Sequence, residues 1–334
     1  MKPVIPIFFS VDDRYAPYLA VAMTSMKLNA SKRYDYDIII LHQQLSDENK
    51  RRLREIGSRA FRVRFEAMDD MLKGFTDKSS NRLRCDYYTM TIYYRIFIPA
   101  MFPEYDKGIY LDSDIVVPGD VSELYETELG DSLIGACTDL SIQETEPLVR
   151  YVEQGIGVEA KKYVNSGILL MDMDGLRKAH LDEKFLYILG KYQCDSIAPD
   201  QDYINALCRD VIFHLPDKFD IMPNENREIE PSPVIVHYNL FAKPWNYKGI
   251  QYEDLFWKYA IRTAYYRDLK DELAGYTDEQ KAQDMKCLED MAAKGVRIAE
   301  SEVNFRTIFE SGTEERLKRL TEAAAETAKD RDRP

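Results

Sequence analysis

The sequence predicts an α/β protein with a mostly parallel central sheet, followed by a helical C-terminal extension. Short apolar runs alternate with helix-like segments as far as about residue 250, which is typical of strands and helices packed in layers. After Gly249 the pattern is helical. The 334 residues are 45% hydrophobic and 31% charged, which suits a globular protein with a sizeable core. We therefore expect a core domain over residues 1–250 and a helical extension over residues 251–334.

Each predicted strand is an apolar run bounded by turn residues or charges. Asp37–His42 is rich in Ile and Leu, which fits a strand buried on both faces. The predicted strands are Val4–Ser10, Asp37–His42, Phe61–Phe65, Lys107–Leu111 with Ile115–Val117 continuing it, Leu133–Cys137, Ile168–Asp172, Val211–Leu215 and Val234–Tyr238.

The predicted helices follow from apolar spacing and from capping residues at their ends. Ser46 is expected to cap a charged helix that ends near Ile56, and Thr277 or Thr313 to cap the later ones. Besides the Ser46 helix, the predicted helices are Pro17–Asn29, Tyr87–Ile98 closed by Pro99, Asp174–Ala179, Asp182–Tyr192, Asp200–Cys208, Tyr252–Leu273, Asp278–Lys294 and Thr313–Lys329.

Charge and cysteine usage limit the classes of function. A formal charge of −13 argues against broad binding to nucleic acid or anionic membranes, although a few local cations could still hold a phosphate. The five cysteines are scattered and form no CxxC pair, so neither a disulfide framework nor a zinc knuckle is indicated. The apolar run Pro3–Phe9 is too short for a signal peptide or a membrane span. We expect a cytoplasmic protein.

Asp112 and Asp114 stand at the carboxyl end of an apolar strand, where open α/β sheets place their ligands. Residues two apart in extended chain project to the same face, so the two carboxylates could share one hard cation. The alternative is a solvated acidic turn or a helix cap, because this three-residue pattern is common. Apolar runs on both sides favour the cation, since buried acids need a partner for their charge.

His237 follows another predicted strand, and Lys243 stands six residues further on. One imidazole nitrogen added to two carboxylates makes a mixed ligand set that suits Mn²⁺ better than Ca²⁺. Lys243 could offset the charge on a phosphate that leaves when a sugar–phosphate bond breaks. The alternative for His237, a histidine of the core or surface, stays equally open on these residues alone.

Three further stretches carry candidate ligands, each with an ordinary structural alternative. After Pro199, Asp200 could be favourable charge in the first turn of a helix, or Gln201 could lie beside a sugar carbon or an acceptor hydroxyl. Asn165 could bind a sugar hydroxyl or belong to a common turn. Asp12 could bind the N–H of a base that stacks on Tyr15, or form an Asx turn.

The order of these stretches resembles the family 8 glycosyltransferases, which retain the anomeric configuration of the transferred sugar. The resemblance covers roughly residues 3–260, and seven matches in one order are far more specific than any one of them. The matching stretches are Phe9-Ser10-Val11-Asp12-Asp13 with Tyr15-Ala16-Pro17-Tyr18-Leu19, Tyr93-Tyr94-Arg95, Tyr110-Leu111-Asp112-Ser113-Asp114, Gly135-Ala136-Cys137, Asn165-Ser166-Gly167-Ile168-Leu169-Leu170, Asp200-Gln201-Asp202, and His237-Tyr238 with Lys243-Pro244-Trp245.

What this resemblance implies is a GT-A fold, which is Rossmann-like, with the nucleotide over the strand ends. It implies Mn²⁺, with Mg²⁺ as the alternative, and a UDP-sugar donor. The residues that the resemblance assigns are Asp112, Asp114 and His237 to the metal, Asp12 and Tyr15 to uracil, Arg95, Asn165, Asp200 and Gln201 to the donor sugar, Lys243 to the diphosphate, and Ser113 to the donor site. Gln201 and Asp200 are the catalytic candidates. Arg14 stands where relatives usually have a small amide residue, and Leu240 replaces a usual glycine.

The implied reaction moves galactose or glucose from UDP to a hydroxyl of a saccharide or a lipid-linked saccharide, with no nucleic-acid partner. A nucleotide-sugar-binding protein without turnover is one alternative, which Leu240 keeps open. A haloacid-dehalogenase-like phosphatase is another, because Asp112-Ser113-Asp114 has the form of its nucleophile motif, although more than a hundred residues precede it here. The C-terminal helices could place the acceptor or pair two subunits in a homodimer.

Overall fold

A computed structural model describes residues 2–68 and 93–310, and its strands form two sheets. The strands are β1 Val4–Ser10, β2 Asp35–His42, β3 Phe61–Ala67, β4 Lys107–Leu111, β5 Ile115–Val116, β6 Ile134–Ala136, β7 Ile168–Asp172, β8 Ile212–His214 and β9 Val236–His237. Seven strands form one sheet in the order β3-β2-β1-β4-β7-β6-β8, and β5 pairs with β9 in a second. The β1–β2, β2–β3, β1–β4 and β6–β8 pairs are parallel and β6–β7 is antiparallel. The predicted α/β class with a mostly parallel sheet is confirmed.

Twelve α-helices lie within the described residues, and five of them agree with predicted helices to within about one residue at each end. The twelve are α1 Ala16–Asn29, α2 Asp47–Ile56, α3 Tyr94–Met101, α4 Ser122–Tyr125, α5 Glu146–Arg150, α6 Met173–Lys178, α7 Leu181–Tyr192, α8 Pro199–Cys208, α9 Glu253–Ala260, α10 Tyr266–Gly275, α11 Asp278–Ala299 and α12 Phe305–Glu310. The helix predicted over Asp278–Lys294 extends five residues further, to Ala299. The capping predictions for Ser46 and Thr277 are confirmed: Ser46 Oγ accepts from the Asn49 amide and Thr277 Oγ1 from the Gln280 amide. Thr313–Lys329 and the start of the Tyr87–Ile98 helix lie outside the described residues.

The chain divides into two compact units, whose described parts are residues 2–68, 109–127 and 216–285, and residues 93–108, 128–215 and 286–310. In the first unit, Ile38, Ile39 and Ile40 of β2 are completely buried, as expected for a parallel strand covered on both faces. In the second unit, the Phe185 ring contacts the ring of Tyr203, which in turn contacts Phe305 of α12. A C-terminal helix therefore contributes to the core of the second unit.

The prediction that Pro99 ends a helix was wrong, because α3 continues through Pro99 to Met101. A proline removes one helical hydrogen bond. The next turn is closed by the Phe102 amide, which donates to the Ile98 carbonyl at 3.1 Å. The Arg177 guanidinium also donates to the carbonyls of Pro99 and Tyr105, each at 3.0 Å. These bonds hold the last turn together despite the proline.

The single helix predicted over Tyr252–Leu273 was also wrong, because the structure has two helices, α9 and α10. Thr263 lies in the break, where its hydroxyl donates to the Ala260 carbonyl at 2.8 Å and accepts from the Tyr265 amide at 3.2 Å. A threonine side chain that bonds the backbone in this way competes with helical hydrogen bonds. Residues 251–285 pack in the first unit and residues 286–310 in the second. In residues 2–68 and 93–310 no helix is long and apolar enough to cross a membrane.

Gly119 provides a test of the packing that supports β9. A Cβ atom built at Gly119 would lie 2.7 Å from Cα of Val234, two residues before the start of β9. Since that contact is with backbone, Gly119→Ala should destabilise the protein by about 2 kcal/mol through overpacking. Denaturant unfolding measures this loss. Gly190 of α7 is the control, because a Cβ atom added there would have no neighbour within 4 Å and Gly190→Ala should be neutral or stabilising. Equal effects of the two substitutions would contradict the packing described.

Candidate active site

The pairing of β5 with β9 brings His237 beside the Asp112–Asp114 turn. Ile115 lies opposite His237 in this antiparallel pair, and the Tyr238 amide donates to the Asp114 carbonyl at 2.9 Å. The prediction that Ile115–Val117 continues β4 was wrong in one respect: a bend at Ser113 and Asp114 separates β4 from β5, which lies in the other sheet. This bend turns the two acidic side chains toward β9.

Asp112, Asp114 and His237 form a group whose ligand atoms all lie within 4.8 Å of one another. His237 Nε2 lies 3.4 Å from Asp114 Oδ1 and 4.0 Å from Asp112 Oδ2. His237 is buried, whereas the two carboxylates are half-buried and remain accessible. Two carboxylate oxygens and one imidazole nitrogen make a donor set that fits a divalent cation such as Mn²⁺. The three residues named from the sequence are thus brought together within the first unit.

Asp220 holds the other side of the His237 ring, with Oδ1 at 3.0 Å from Nδ1. Such a carboxylate fixes the ring and leaves Nε2 to face the ligand group, as in many metal centres. Asp220 is buried and lies in the first unit. We did not predict it from the sequence, because no motif marks Asp220 as the partner of a histidine 17 residues further along the chain.

Lys243 contacts Asp114 and also the backbone of its own turn, at Tyr238. The Lys243 ammonium donates to Asp114 Oδ2 at 2.5 Å and to the Tyr238 carbonyl at 2.7 Å. Between these residues, Leu240 has a left-handed backbone with φ of 56°, a conformation that glycine adopts more easily. The leucine that replaces the usual glycine at position 240 therefore lies where any side chain strains the backbone.

The neighbouring charges shift the pKa values of His237 and Asp114 in opposite directions. Burial alone lowers the pKa of His237, but the Asp220 and Asp114 carboxylates outweigh burial and raise it to about 10. Burial alone raises the pKa of Asp114, but the Lys243 ammonium and His237 outweigh burial and hold it well below its ordinary value. With protein groups alone, His237 is therefore an imidazolium at neutral pH. Its ion pairs stabilise the fold fully below about pH 6.5 and lose their effect as pH rises through about 10.

Asp12 and Tyr15 lie in the turn between β1 and α1. Asp12 Oδ1 accepts from the amides of Arg14 and Tyr15, both at 3.0 Å, so the Asx turn considered for this stretch is present. Burial raises the pKa of Asp12. Ser113 is buried, with its hydroxyl 3.5 Å from the Ser10 carbonyl, and the Tyr110 hydroxyl donates to Asp112 at 2.8 Å.

A second cluster lies within the second unit, where Arg95 of α3 meets Asp200 of α8. Arg95 Nη1 lies 3.0 Å from Asp200 Oδ2, and both side chains are buried. The Ser166 hydroxyl donates to the same Asp200 oxygen at 2.8 Å, and Ser166 also accepts from Arg95 through its carbonyl and its hydroxyl. Ser166 thus links these two charged groups, although we did not select it from the Asn165-Ser166-Gly167 stretch.

Gln201 and Asn165 of this cluster both donate to a second acid, Asp139. Gln201 Nε2 donates to Asp139 Oδ2 at 2.8 Å, and Asn165 Nδ2 donates to the same oxygen at 3.3 Å. The Ser166 amide donates to Gln201 Oε1 at 3.2 Å. The Gln201 amide is therefore held at both ends. Asp139 follows β6 with no distinctive spacing, and nothing in the sequence marked it.

Asp202 differs from its neighbours because it belongs to the core of the second unit. Its carboxylate is fully buried and accepts from the hydroxyls of Tyr151 and Tyr163, both at 2.5 Å, and from the Ala198 amide at 3.1 Å. Burial raises the pKa of Asp202, although the hydrogen bonds oppose that shift. The three-residue stretch Asp200-Gln201-Asp202 thus contains two members of the polar cluster and one buried acceptor, Asp202, that links α8 to Tyr151 and Tyr163.

The family model described as glycosyl transferase family 8 matches residues 6–249. The chain belongs to this family. A putative glycosyltransferase of Haemophilus influenzae is 26% identical over 251 residues, which cover 72% of this chain and 73% of the relative. A lipopolysaccharide 1,2-glucosyltransferase of Escherichia coli K12 is 23% identical over 276 residues, which cover 78% and 79%.

Among solved structures, the galactosyltransferase LgtC in complex with donor and acceptor sugar analogs superposes with a TM-score of 0.67 at 24% identity. The match covers 79% of this chain and 100% of that one. The GT-A fold expected from the sequence is thereby confirmed for this family 8 glycosyltransferase, and its membership favours sugar transfer over the phosphatase alternative.

Removal of one acidic side chain tests whether Asp112, Asp114 and His237 hold a divalent cation. Asp112→Asn should weaken Mn²⁺ binding, measured by titration calorimetry, by more than about 100-fold, and Asp220→Asn by about 10- to 100-fold. Asp112 is the better choice, because Asp114→Asn would also leave the buried Lys243 without its carboxylate. Asp131→Asn, at an exposed position, is the control and should bind Mn²⁺ as the wild type does. Unchanged binding in Asp112→Asn would exclude this site.

The pKa of His237 predicts how metal binding depends on pH. Since the imidazolium must lose its proton before Nε2 can bind a cation, the apparent affinity for Mn²⁺ should rise with pH. One proton released per cation corresponds to an increase of about 30-fold from about pH 6.5 to about pH 8. Calorimetry in two buffers of different ionisation enthalpy would count the released proton. An affinity independent of pH over this range would contradict the raised pKa.

Proposed function

We propose that this glycosyltransferase is a retaining hexosyltransferase that uses UDP-galactose or UDP-glucose with Mn²⁺, or alternatively Mg²⁺. The observation that carries the proposal is the group formed by Asp112, Asp114 and His237, with the His237 ring fixed by Asp220. A nucleoside diphosphate needs a divalent cation and a few positive charges rather than a broad basic surface, which agrees with the overall charge of −13.

The proposed chemistry at the first unit is charge stabilisation on the leaving diphosphate. When bound to Asp112, Asp114 and His237, the cation would offset the negative charge that develops as the anomeric C–O bond breaks. Lys243 uses two of its three N–H donors on Asp114 and Tyr238, which leaves one for a phosphate oxygen. Asp12 and Tyr15 are proposed to hold the uracil, and Ser113 to contact the donor.

We assign the donor sugar to Arg95, Asn165, Asp200 and Gln201. The hydrogen bonds from Ser166 to Gln201 Oε1 and from Gln201 Nε2 to Asp139 hold this amide in one orientation. A fixed amide oxygen can stabilise positive charge on the anomeric carbon without reorganisation, which is the role proposed for Gln201. Asp200 is the second catalytic candidate, but its pairing with Arg95 favours a supporting role.

The proposed acceptor is a hydroxyl of a saccharide or of a lipid-linked saccharide. The support is by likeness, since a lipopolysaccharide glucosyltransferase and a galactosyltransferase with donor and acceptor sugar analogs are among the similar proteins. A cytoplasmic location and a homodimer stay predictions from the sequence. A nucleotide-sugar-binding protein without turnover is the second candidate, because Leu240 introduces a side chain beside the Lys243 turn.

Hydrolysis of UDP-sugars in the absence of an acceptor separates these two candidates. We expect slow, Mn²⁺-dependent release of UDP from UDP-galactose or UDP-glucose, measured by a coupled assay, with retention of the α-anomer in the released sugar by NMR. Gln201→Ala should lower kcat by about 100-fold with a smaller change in KM, because its amide would act on the transition state. A protein that binds UDP-sugars with Mn²⁺ but releases no UDP, even with saccharide acceptors added, would be a binding protein instead.

A further inference from the structure

Four side chains of the first unit form a continuous row that ends at Asp114. They are Tyr15, Tyr18, Trp245 and Lys243. The Tyr15 and Tyr18 rings meet edge to face at 5.2 Å, and the Tyr18 ring stacks on Trp245 at 4.0 Å with an interplanar angle of 16°. The Lys243 ammonium lies 5.4 Å from the centre of the Trp245 ring and donates to Asp114. Because close-packed side chains transmit a displacement to their neighbours, the position of Tyr18 influences both ends of this row.

Glu272 of α10 holds the Tyr18 ring in place. The Tyr18 hydroxyl donates to Glu272 Oε1 at 2.5 Å, a short bond of the kind that a carboxylate accepts. Tyr18 is otherwise buried, with 8% of its surface exposed. Glu272 lies beyond residues 6–249, which the family model matches, so this contact comes from the C-terminal part of the chain.

The helix that carries Glu272 is itself fixed to the first unit. Leu269 of α10 is completely buried, and Tyr265, directly before the helix, donates its hydroxyl to Asn49 Oδ1 at 2.8 Å. Asp268 also lies 3.4 Å from the guanidinium of Arg52. Glu272 therefore reaches Tyr18 from a helix whose position is set by independent contacts.

The surroundings of Glu272 disfavour its negative charge. Burial raises its pKa, while the Tyr18 hydroxyl and the nearby Arg14 act in the opposite direction. A half-buried carboxylate with a single neutral donor and one exposed cation nearby costs free energy of folding. An apolar side chain would pack at this position without that cost. Such a cost is expected where a residue orients another group.

We propose that Glu272 is a positioning residue of the donor site, which sets the affinity for the nucleotide sugar by fixing Tyr18 and, through Trp245, Lys243. This inference rests on the function proposed above. It assigns the C-terminal helix α10 a part in donor binding, in addition to its packing against the first unit.

Steady-state kinetics of UDP-sugar hydrolysis with Mn²⁺ test the inference in the full chain. Glu272→Ala and Tyr18→Phe should each raise KM about tenfold, the effect of one lost charge-assisted hydrogen bond, with kcat within about twofold of wild type. Glu272→Gln, which keeps an acceptor oxygen, should fall between them and wild type. The double variant should behave as either single variant does, because both changes break the same bond. Asp271→Asn, an exposed acid on the same helix, should change nothing.

The experiment distinguishes a failure of the proposed function from a failure of the role assigned to Glu272. If wild type neither binds nor hydrolyses any UDP-sugar with Mn²⁺, the proposed function is wrong and this inference falls with it. If wild type is active and KM is unchanged in Glu272→Gln, Tyr18→Phe and Glu272→Ala, only the inference is wrong and Glu272 merely packs. Fully additive effects in the double variant would also overturn it. Should Glu272→Ala fail to fold, the near-isosteric Tyr18→Phe and Glu272→Gln still decide the question.

Discussion

The candidate site depends on a sheet of only two short strands. β5 and β9 contribute two residues each, and their register places His237 opposite Ile115, next to the end of the Asp112–Asp114 turn. The Tyr238 amide extends this pairing by one bond to the Asp114 carbonyl. The contacts around His237 follow from this pairing, since Lys243 reaches Asp114 from the turn after β9 and Asp220 meets the ring that β9 presents. A shift of one residue would turn His237 to the opposite face.

Sequence patterns were sufficient for the parts of the molecule that local physics determines. Alternation of apolar runs with helical segments predicted the fold class, and capping chemistry predicted the start of α2 and α11. Asp112 and Asp114 could be named because acids between buried strands need a partner, whereas His237 needed the order of motifs. The helix end predicted at Pro99 was wrong because Arg177 stabilises the turn beyond the proline by hydrogen bonds from elsewhere in the chain. The helix break at Thr263 was not predicted, because it depends on a hydrogen bond from the threonine hydroxyl to the backbone.

Asp220 and Asp139 show what a sequence leaves undetermined. Each is a buried acid whose partner lies elsewhere in the chain, His237 for Asp220 and Gln201 for Asp139. Their role depends on geometry, because a hydrogen bond to one side of a ring or amide fixes the direction of the atom on the other side. Each unit therefore holds its polar side chains in set orientations by contacts of its own.

The balance of charge around His237 has a consequence for handling the protein. Three carboxylates, of Asp112, Asp114 and Asp220, face the positive His237 and Lys243 groups. A divalent cation that takes the place of the imidazole proton adds one positive charge, so these five groups stay within one charge of neutrality in either case. Buried charge without compensation is what makes some proteins unfold when their ion is withdrawn. With the proposed cation bound at this group, the protein should instead tolerate chelation and reload from solution, as proteins with exchangeable cofactors do.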